Sequence, residues 1–310
     1  MADLRGRDLL SVSDLSSDEL LRILELTKTL KGERGQDKWK GALSGKTLAM
    51  LFMKPSTRTR VSFDVAMYEL GGHSITLSPS ETQLSRGETV SDTGSVLSRY
   101  VSGIVARATS HSILVDLAQH SSVPVINGLS DLEHPCQAIG DMFTILEKFG
   151  YLGGISIAYL GDGNNVANSL ILASALMGMS ITVATPIGFE PKQDILATAT
   201  EFADASGGEV TVVSDPLKAV SGADVVYTDV WVSMGNEDEA EARKRALIRY
   251  QVNDEVMRTA SEGAIFMHCL PAHRGEEVTG GVIDGDQSAV LQQAENRMHA
   301  QKAILLSLIG

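Results

Sequence analysis

The chain contains little cysteine and few basic residues for its length. Only two cysteines, Cys136 and Cys269, occur among 310 residues, and they are far apart and lack the spacing of metal ligands. Two thiols in so long a chain do not make a disulfide framework, which favours a reducing compartment. Lysine and arginine number 26 against 39 acidic residues, giving a net charge of −13. That balance argues against non-specific nucleic-acid binding, which requires a basic face.

Long apolar segments are also missing. The first residues, "MADLRGRDLLSVSDLSSDELL", hold no apolar run suited to a signal peptide, and no stretch approaches the ~20 apolar residues of a membrane helix. A hydrophobic content of 43% with 21% charged residues is ordinary for a globular enzyme. We therefore expect a soluble, cytoplasmic protein, long enough for two domains at ~150 residues each.

Short β-rich runs alternate with helical patterns along the whole chain. The runs are "TLAMLF", "SITL", "GIVARA", "VPVIN", "ISIAYLG", "SITVAT", "EVTVVS", "DVVYTDV" and "AIFMHCL". This alternation is typical of parallel sheets covered on both faces by helices. Nine runs are many for one sheet, and the glycine-rich "KFGYLGG" at 148–154 resembles a junction. The sequence thus predicts an α/β protein with two doubly wound parallel sheets of about four and five strands.

Polar residues follow several of these runs at the point where each predicted strand ends. Arg107 closes one run, Asn164 and Asn165 follow another, and Asp229 and Cys269 close two more. In open parallel sheets, ligands bind beyond the carboxyl ends of the strands. We therefore expect these side chains to line a binding site.

The segment "PSTRTR" places hydroxyls and arginines at the start of a predicted helix. Ser56 is a plausible N-cap, which leaves the following amides free to face an anion. Arg58 adds a planar fork that can hold two phosphate oxygens. Taken alone, the segment is better explained as an N-capped helix with solvated arginines. The glycine-rich pattern of a Walker loop is absent from this segment.

Three further segments carry polar groups suited to a small substrate. In "LEHPCQAIGD", His134 can donate to a carbonyl oxygen while the Gln137 amide accepts from an NH₂ group, although both also suit capping roles. In "YTDVWVSMGNEDE", Asp229 can pair with an ammonium group, although an ordinary strand-to-helix connection has the same pattern. In "FMHCLPAHRGEE", Cys269 follows His268 directly, so on a strand their side chains point to opposite faces and do not readily form a catalytic pair. The spacing matches no standard zinc site, so no metal is predicted.

Together these segments resemble the aspartate/ornithine carbamoyltransferase family over effectively the whole chain. "STRTR" and "HPCQ" are similar to that family's carbamoyl-phosphate motifs, and "DVWVSMG" and "HCLPAHRGEE" to motifs of its ornithine branch. The resemblance implies transfer of a carbamoyl group from carbamoyl phosphate to L-ornithine, giving L-citrulline and phosphate in arginine biosynthesis, without a cofactor. It implies a carbamoyl-phosphate domain, 1–148, completed by a C-terminal helix, 288–310, and an ornithine domain, 149–287. The family's catalytic unit is a trimer, so we expect a homo-oligomer.

The resemblance also implies a role for each matching residue. The catalytic residues would be Arg58, Arg107, His134, Cys269 and Arg297. Carbamoyl phosphate would be bound by these five together with Ser56, Thr57, Thr59, Gln83, Pro135, Cys136, Gln137 and Leu270, with Gln83 reaching the site of a neighbouring subunit. Ornithine would be bound by Asn165, Asp229, Ser233 and Met234.

Two other functions remain open from the residues alone. The first is carbamoyl transfer to a different amine, such as putrescine, N-acetylornithine or aspartate. The second is an NAD-dependent oxidoreductase, because "GDGNNVANSL" has Gly161 and Gly163 after a predicted strand. Its third glycine position holds Val166, and no acidic residue for a ribose ends the next strand, so the nicotinamide hypothesis is weak.

Overall fold

A computed structural model describes residues 4–78, 80, 82–232 and 237–310 of the chain. The chain forms two compact units. Unit 1 comprises 1–143 and 296–310, and unit 2 comprises 144–295. Each unit contains one parallel sheet, so the predicted fold class is confirmed.

The sheet of unit 1 has four parallel strands. They are β1 (Thr47–Phe52), β2 (His73–Leu77), β3 (Gly103–Arg107) and β4 (Val125–Leu129), in the spatial order β2-β1-β3-β4. The central strands β1 and β3 are almost wholly buried, whereas the edge strand β2 is partly exposed. The order reverses between β1 and β3, and such a switch point is where ligands bind in doubly wound sheets.

The sheet of unit 2 has five parallel strands. They are β5 (Ser156–Leu160), β6 (Ser180–Ala184), β7 (Glu209–Val213), β8 (Val225–Thr228) and β9 (Ile265–His268), in the order β7-β6-β5-β8-β9. Here the order reverses between β5 and β8. Each of the nine predicted apolar runs overlaps one of the nine strands described for the two units.

Helices cover the sheets and connect the strands. In chain order they are α1 (Ser17–Gly32), α2 (Thr57–Glu69), α3 (Val90–Leu97), α4 (His111–His120), α5 (Pro135–Phe149), α6 (Asn165–Leu176), α7 (Gln193–Ser206), α8 (Pro216–Val220), α9 (Ala240–Leu247), α10 (Asp254–Thr259), α11 (Gly280–Ile283) and α12 (Val290–Ile309). Short 3₁₀ helices occupy Val12–Asp14, Asp37–Trp39, Gln83–Arg86, Glu237–Glu239 and Ile248–Tyr250. The division between the units falls inside α5 and inside α12. No helix in the described ranges combines the length and apolarity needed to cross a bilayer.

Local sequence signals explain where the first helices begin. The Ser16 hydroxyl accepts a hydrogen bond from the Glu19 amide, and the Glu19 carboxylate accepts one from the Ser16 amide. This reciprocal pair satisfies two donors that the first turn of α1 otherwise leaves open. Ser56 is the N-cap of α2, but its side chain makes no capping hydrogen bond. The amides at the start of α2 are therefore not capped by the serine hydroxyl.

Each unit has its own apolar core. In unit 1, Ile104, Leu114 and Val125 join strands to helix α4. In unit 2, Trp231 and Phe266 are the largest side chains of a cluster that α8, α10 and α11 close from outside the sheet. Because both sheets are buried by their own helices, their strand ends are held at fixed positions for the polar residues that follow them.

Candidate active site

The first group of predicted site residues lies at the switch point of unit 1. The chain leaves β1 and enters α2 through Ser56, and β3 ends at Arg107. The register between β3 and β4 shifts between Ala106 and Arg107. Such a bulge redirects a side chain at the end of a strand. Arg107 is nevertheless buried, with only 7% of its surface exposed.

His134 lies at the centre of this group, directly before α5. Pro135 is the first residue of α5, a position where proline's missing amide hydrogen is not needed. The pKa of His134 is held well below its usual value of 6.5 by burial, and then by the positive charges of Arg297, Arg107 and Arg58. The imidazole is therefore neutral near pH 7 and offers one N–H donor. The same effect locates all three arginines within electrostatic reach of one imidazole.

Arg297 reaches the group from the last helix of the chain. Its Nη1 donates to Gln137 Oε1 at 3.1 Å, and its Nη2 donates to the Thr59 hydroxyl. A β-carbon placed on Gly140 would lie only 3.2 Å from Arg297 Cα. Glycine at that position therefore lets α12 approach α5 closely enough for the guanidinium to bridge α5 and α2.

The remaining predicted carbamoyl-phosphate ligands of unit 1 differ in exposure. Thr57 and Arg58 in the first turn of α2 are exposed, and Ser56 is half-buried. Gln83 is exposed within its 3₁₀ helix. Pro135 is buried, and the thiol of Cys136 donates to the Asn127 carbonyl oxygen at 3.5 Å. Any contact of Cys136 with a ligand would thus come from its backbone.

The second group lies at the switch point of unit 2. Asp229 follows β8, and its carboxylate is 6% exposed. Asn164 Nδ2 donates to Asp229 Oδ2 at 2.7 Å, and Cys269 Sγ donates to Asp229 Oδ1 at 3.0 Å. Asn164 is also the N-cap of α6, because its Oδ1 accepts from the amides of Val166 and Ala167. Both carboxylate oxygens are therefore fixed in place, and each retains a further lone pair for an ammonium group.

His268 belongs to a separate chain of contacts in unit 2. Its Nδ1 accepts from the Leu270 amide at 2.9 Å, and its Nε2 lies 3.3 Å from Glu277 Oε1. Burial by itself raises the pKa of Glu277. The hydrogen bonds from His268 and the His273 amide lower the pKa by a larger amount, so the net effect is a decrease. Because Nδ1 already accepts a hydrogen bond, His268 is not placed as a base for the neighbouring Cys269.

Among the residues that the structure describes, two sets of side chains have the donor atoms to hold a metal ion. Ligand atoms of Asp229, His268 and Cys269 lie within 4.8 Å of one another, as do those of His273, Glu276 and Glu277. Sequence spacing did not predict either set. In the first set, His268 Nδ1 is committed to the Leu270 amide, and in the second, Glu276 pairs with Lys244 at 2.6 Å. These contacts account for both sets as hydrogen-bonded networks.

The contacts around Asp229 include residues to which the sequence assigned no role with ornithine. Asn164 contacts the carboxylate, and Asn165 is the first residue of α6. Arg243 Nη1 pairs with Asp162 Oδ2 at 2.9 Å. Burial raises the pKa of Asp162, and the negative charges of Asp229 and Glu239 raise it further. Arg243 lowers the pKa through its charge and hydrogen bond but does not cancel the increase. The tendency of asparagine to cap helices is the sequence signal that favours Asn164.

Leu270 has a positive backbone φ of 58°. A non-glycine residue in this region costs about 1 kcal/mol or more, and such residues cluster at functional sites. Ser233 and Met234, the other predicted ornithine ligands, lie outside the residues that the structure describes.

The two cysteines differ in their surroundings, which predicts different reactivity. Cys136 is fully buried, and burial raises its pKa to about 12, so only about 10⁻⁴ of it is thiolate at pH 8. Cys269 is partly exposed. We expect a disulfide reagent to modify one thiol per chain in the native protein and two after denaturation. Cys269→Ser should remove the native reaction only; modification of two native thiols would contradict the burial of Cys136.

Comparisons with known proteins agree with the motifs. The family model "Aspartate/ornithine carbamoyltransferase, carbamoyl-P binding domain" matches residues 7–147, and "Aspartate/ornithine carbamoyltransferase, Asp/Orn binding domain" matches residues 153–308. An ornithine carbamoyltransferase from Pyrococcus abyssi is 53% identical over 310 residues, covering 100% of this chain and 98% of that protein. One from Methanobrevibacter smithii is 56% identical over 298 residues, covering 96% and 98%.

Solved structures agree as well. Ornithine carbamoyltransferase from Pyrococcus furiosus superposes with a TM-score of 0.97 at 52% identity, covering 100% of this chain and 99% of that one. The enzyme from Thermus thermophilus gives a TM-score of 0.88 at 42% identity, covering 98% and 99%. Matches of this extent to both domain models and to full-length relatives leave no part of the fold unassigned, and the chain is a member of the aspartate/ornithine carbamoyltransferase family.

Proposed function

We propose that this enzyme transfers the carbamoyl group of carbamoyl phosphate to the δ-amine of L-ornithine, giving L-citrulline and phosphate. The observation that carries the proposal is the grouping of Arg58, Arg107 and Arg297 around a neutral His134. Three guanidinium groups in an otherwise acidic chain suit a dianionic phosphate ester or anhydride. The relatives from Pyrococcus abyssi and Methanobrevibacter smithii, which are 53% and 56% identical to this chain, bear the name of this activity.

Most of the residues assigned to carbamoyl phosphate lie in unit 1. The start of α2, where the Ser56 hydroxyl makes no capping hydrogen bond, binds the phosphate through its amides and the Arg58 fork, together with Arg107. The N–H of neutral His134 donates to the carbamoyl oxygen, and Gln137 accepts from the carbamoyl NH₂ group. Ser56, Thr57, Thr59, Pro135, Cys136, Cys269, Leu270 and Arg297 complete the proposed set of ligands.

Ornithine is assigned to the polar groups around Asp229. The Asp229 carboxylate holds the α-ammonium group, since Asn164 and Cys269 already fix both of its oxygens. Asn165, Ser233 and Met234 are the other proposed ornithine ligands. The functional domains that this assignment implies, 1–148 with 288–310 and 149–287, remain part of the proposal.

The proposed reaction is a direct displacement. The neutral δ-nitrogen attacks the carbamoyl carbon, a C–N bond forms, and the C=O electron pair moves onto oxygen. The tetrahedral intermediate then collapses, the C–O bond to phosphate breaks with its electron pair leaving on phosphate, and one proton leaves the nitrogen. Phosphate is a good leaving group, so the step requires neither a metal nor a covalent enzyme intermediate. Arg58, Arg107, Arg297 and His134 supply the donors that stabilise the developing negative charge.

A homotrimer in the cytoplasm is part of the same proposal. In unit 1, large apolar side chains are exposed along α2 and on the edge strand β2: Val61 at 54%, Tyr68 at 80% and Ile75 at 41%. Val61 and Tyr68, seven residues apart, lie on one face of α2, and exposed apolar groups of this kind favour a protein contact. Such a contact supports the assignment of exposed Gln83 to the carbamoyl-phosphate site of a neighbouring subunit.

A colorimetric citrulline assay on the purified chain tests the activity. With carbamoyl phosphate present, we expect citrulline from L-ornithine at a rate that rises toward mildly alkaline pH, because the δ-amine must be deprotonated to attack. Putrescine, N-acetylornithine and L-aspartate should give at least tenfold lower rates at equal concentration. A faster reaction with one of these three amines would assign the enzyme to that substrate, and no product from any amine would refute carbamoyl transfer.

A further inference from the structure

Gln137 is held at both ends of its side-chain amide in unit 1. Arg297 Nη1 donates to Gln137 Oε1 at 3.1 Å, and Gln137 Nε2 donates to Asp141 Oδ1 at 2.8 Å. Gln137 is 2% exposed, and Asp141, one helical turn later on α5, is fully buried. The amide therefore lies between a group that only donates and a group that only accepts.

This arrangement determines which way the amide points. The two ends of a glutamine amide have nearly the same shape and are told apart only by their hydrogen bonds. If the amide turned over, its NH₂ would face the Arg297 guanidinium and its oxygen would face the Asp141 carboxylate. Both contacts would then be repulsive. Asp141 thus fixes Gln137 with its oxygen toward Arg297 and away from the interior of α5.

We infer that Asp141 is a positioning residue that gives the carbamoyl-phosphate site its preference for an NH₂ group. The inference rests on the proposed function, in which Gln137 Oε1 accepts a hydrogen bond from the carbamoyl NH₂. Oε1 has two lone pairs, so it serves Arg297 and the substrate together. A reversed amide would present an N–H to that NH₂ group, and two donors would face each other. Asp141 itself touches Gln137 and not the substrate.

Acetyl phosphate is the probe that isolates this effect. It replaces the NH₂ of carbamoyl phosphate by a methyl group of similar size and keeps the carbonyl oxygen and the phosphate. Its binding therefore depends on the arginines and His134 but not on the direction of the Gln137 amide. The dissociation constant of acetyl phosphate divided by that of carbamoyl phosphate therefore reports on the contact with the NH₂ group alone.

The experiment compares Asp141→Asn with the unmodified enzyme. Asparagine keeps the size of the side chain but removes the negative charge that opposes a reversed amide, so only Arg297 still favours the native direction. The KM for carbamoyl phosphate and the inhibition constant of acetyl phosphate are measured for each protein at saturating L-ornithine. We expect the carbamoyl phosphate constant to rise about tenfold, the loss of one hydrogen bond, and the acetyl phosphate constant to change less than threefold. Asp116→Asn, the same change on the exposed face of α4, should alter neither constant.

A double variant, in which Asp141→Asn is added to Gln137→Leu, separates positioning of the amide from general stabilisation of the fold. In Gln137→Leu the preference for carbamoyl phosphate should already be lost, and adding Asp141→Asn should not change the ratio further. If Asp141→Asn does not yield folded protein, Asp141→Ser carries the same test, because serine is smaller and also lacks the negative charge.

The possible outcomes are distinguishable. An unchanged ratio in Asp141→Asn, or an equal weakening of both ligands, would refute the positioning role while leaving carbamoyl transfer intact. A further fall in the ratio in the Gln137→Leu background would also refute it. Absence of carbamoyl phosphate turnover in the unmodified enzyme would instead refute the proposed function.

Discussion

Replacing Arg58 with glycine should leave a folded protein whose carbamoyl transfer is slower by about 10³-fold or more. Arg58 is exposed in the first turn of α2, and its charge contributes to lowering the pKa of His134. In the proposed reaction its guanidinium binds phosphate oxygens whose charge grows as the C–O bond breaks. A contact that strengthens in the transition state affects turnover more than substrate binding.

The measurement is kcat and KM for carbamoyl phosphate at saturating ornithine. Arg60→Gly, on the next turn of the same helix, is the control for the ~1 kcal/mol that glycine costs a helix. It should remain within tenfold of the unmodified enzyme. Arg58→Lys retains the charge but not the planar fork, so its activity should lie between that of Arg58→Gly and that of the unmodified enzyme. Activity within tenfold for purified Arg58→Gly would remove Arg58 from the catalytic residues.

Replacing Asp229 with alanine should raise the KM for L-ornithine by about 10²-fold or more, and that for carbamoyl phosphate by far less. The carboxylate is 6% exposed and held by Asn164 and Cys269, so its position does not depend on substrate. A buried charge–charge contact with the α-ammonium group would therefore be lost without a replacement from solvent.

Initial rates with each substrate varied in turn give both constants. Asp194→Ala, an exposed acid in the first turn of α7, is the control for the loss of one negative charge and should change neither. A larger effect of Asp229→Ala on ornithine than on 5-aminopentanoate would add support, because 5-aminopentanoate keeps the reacting amine and the carboxylate but lacks the α-ammonium group. Equal increases in both KM values would contradict the assignment of Asp229 to ornithine.

Local patterns predicted the secondary structure well, because they depend on residues close together in the chain. The nine apolar runs became nine strands among the described residues, and the Ser16–Glu19 capping box is a signal of the same local kind. Strand ends were also located by these patterns: Arg107 ends β3 and Asp229 follows β8, each beside a switch point. Both kinds of prediction need only periodicity and the direction of parallel strands.

Contacts between distant residues could not be predicted in the same way. Arg297 bonds to Thr59 across 238 residues of chain and to Gln137 across 160. The resemblance to the family supplied its role, but nothing in local spacing brings those groups together. The contact of Asn164 with Asp229 spans 65 residues, with the asparagine oxygen accepting from the first turn of α6 while its nitrogen donates to the carboxylate. The division of the compact units inside α5 and α12 leaves no glycine or proline signal, since both helices are continuous there.

The sequence by itself determined the fold class, the family and the chemical identity of the candidate ligands, since each depends on residue types in order along the chain. Tertiary structure alone decided that Arg297, Arg107 and Arg58 act on one imidazole and that Arg297 reaches the amide of Gln137. The physical reason is that charge and hydrogen bonding act through space over a few ångströms. For Arg297, that distance is set by how closely α12 and α5 pack at Gly140, and helix packing joins segments that the sequence leaves far apart.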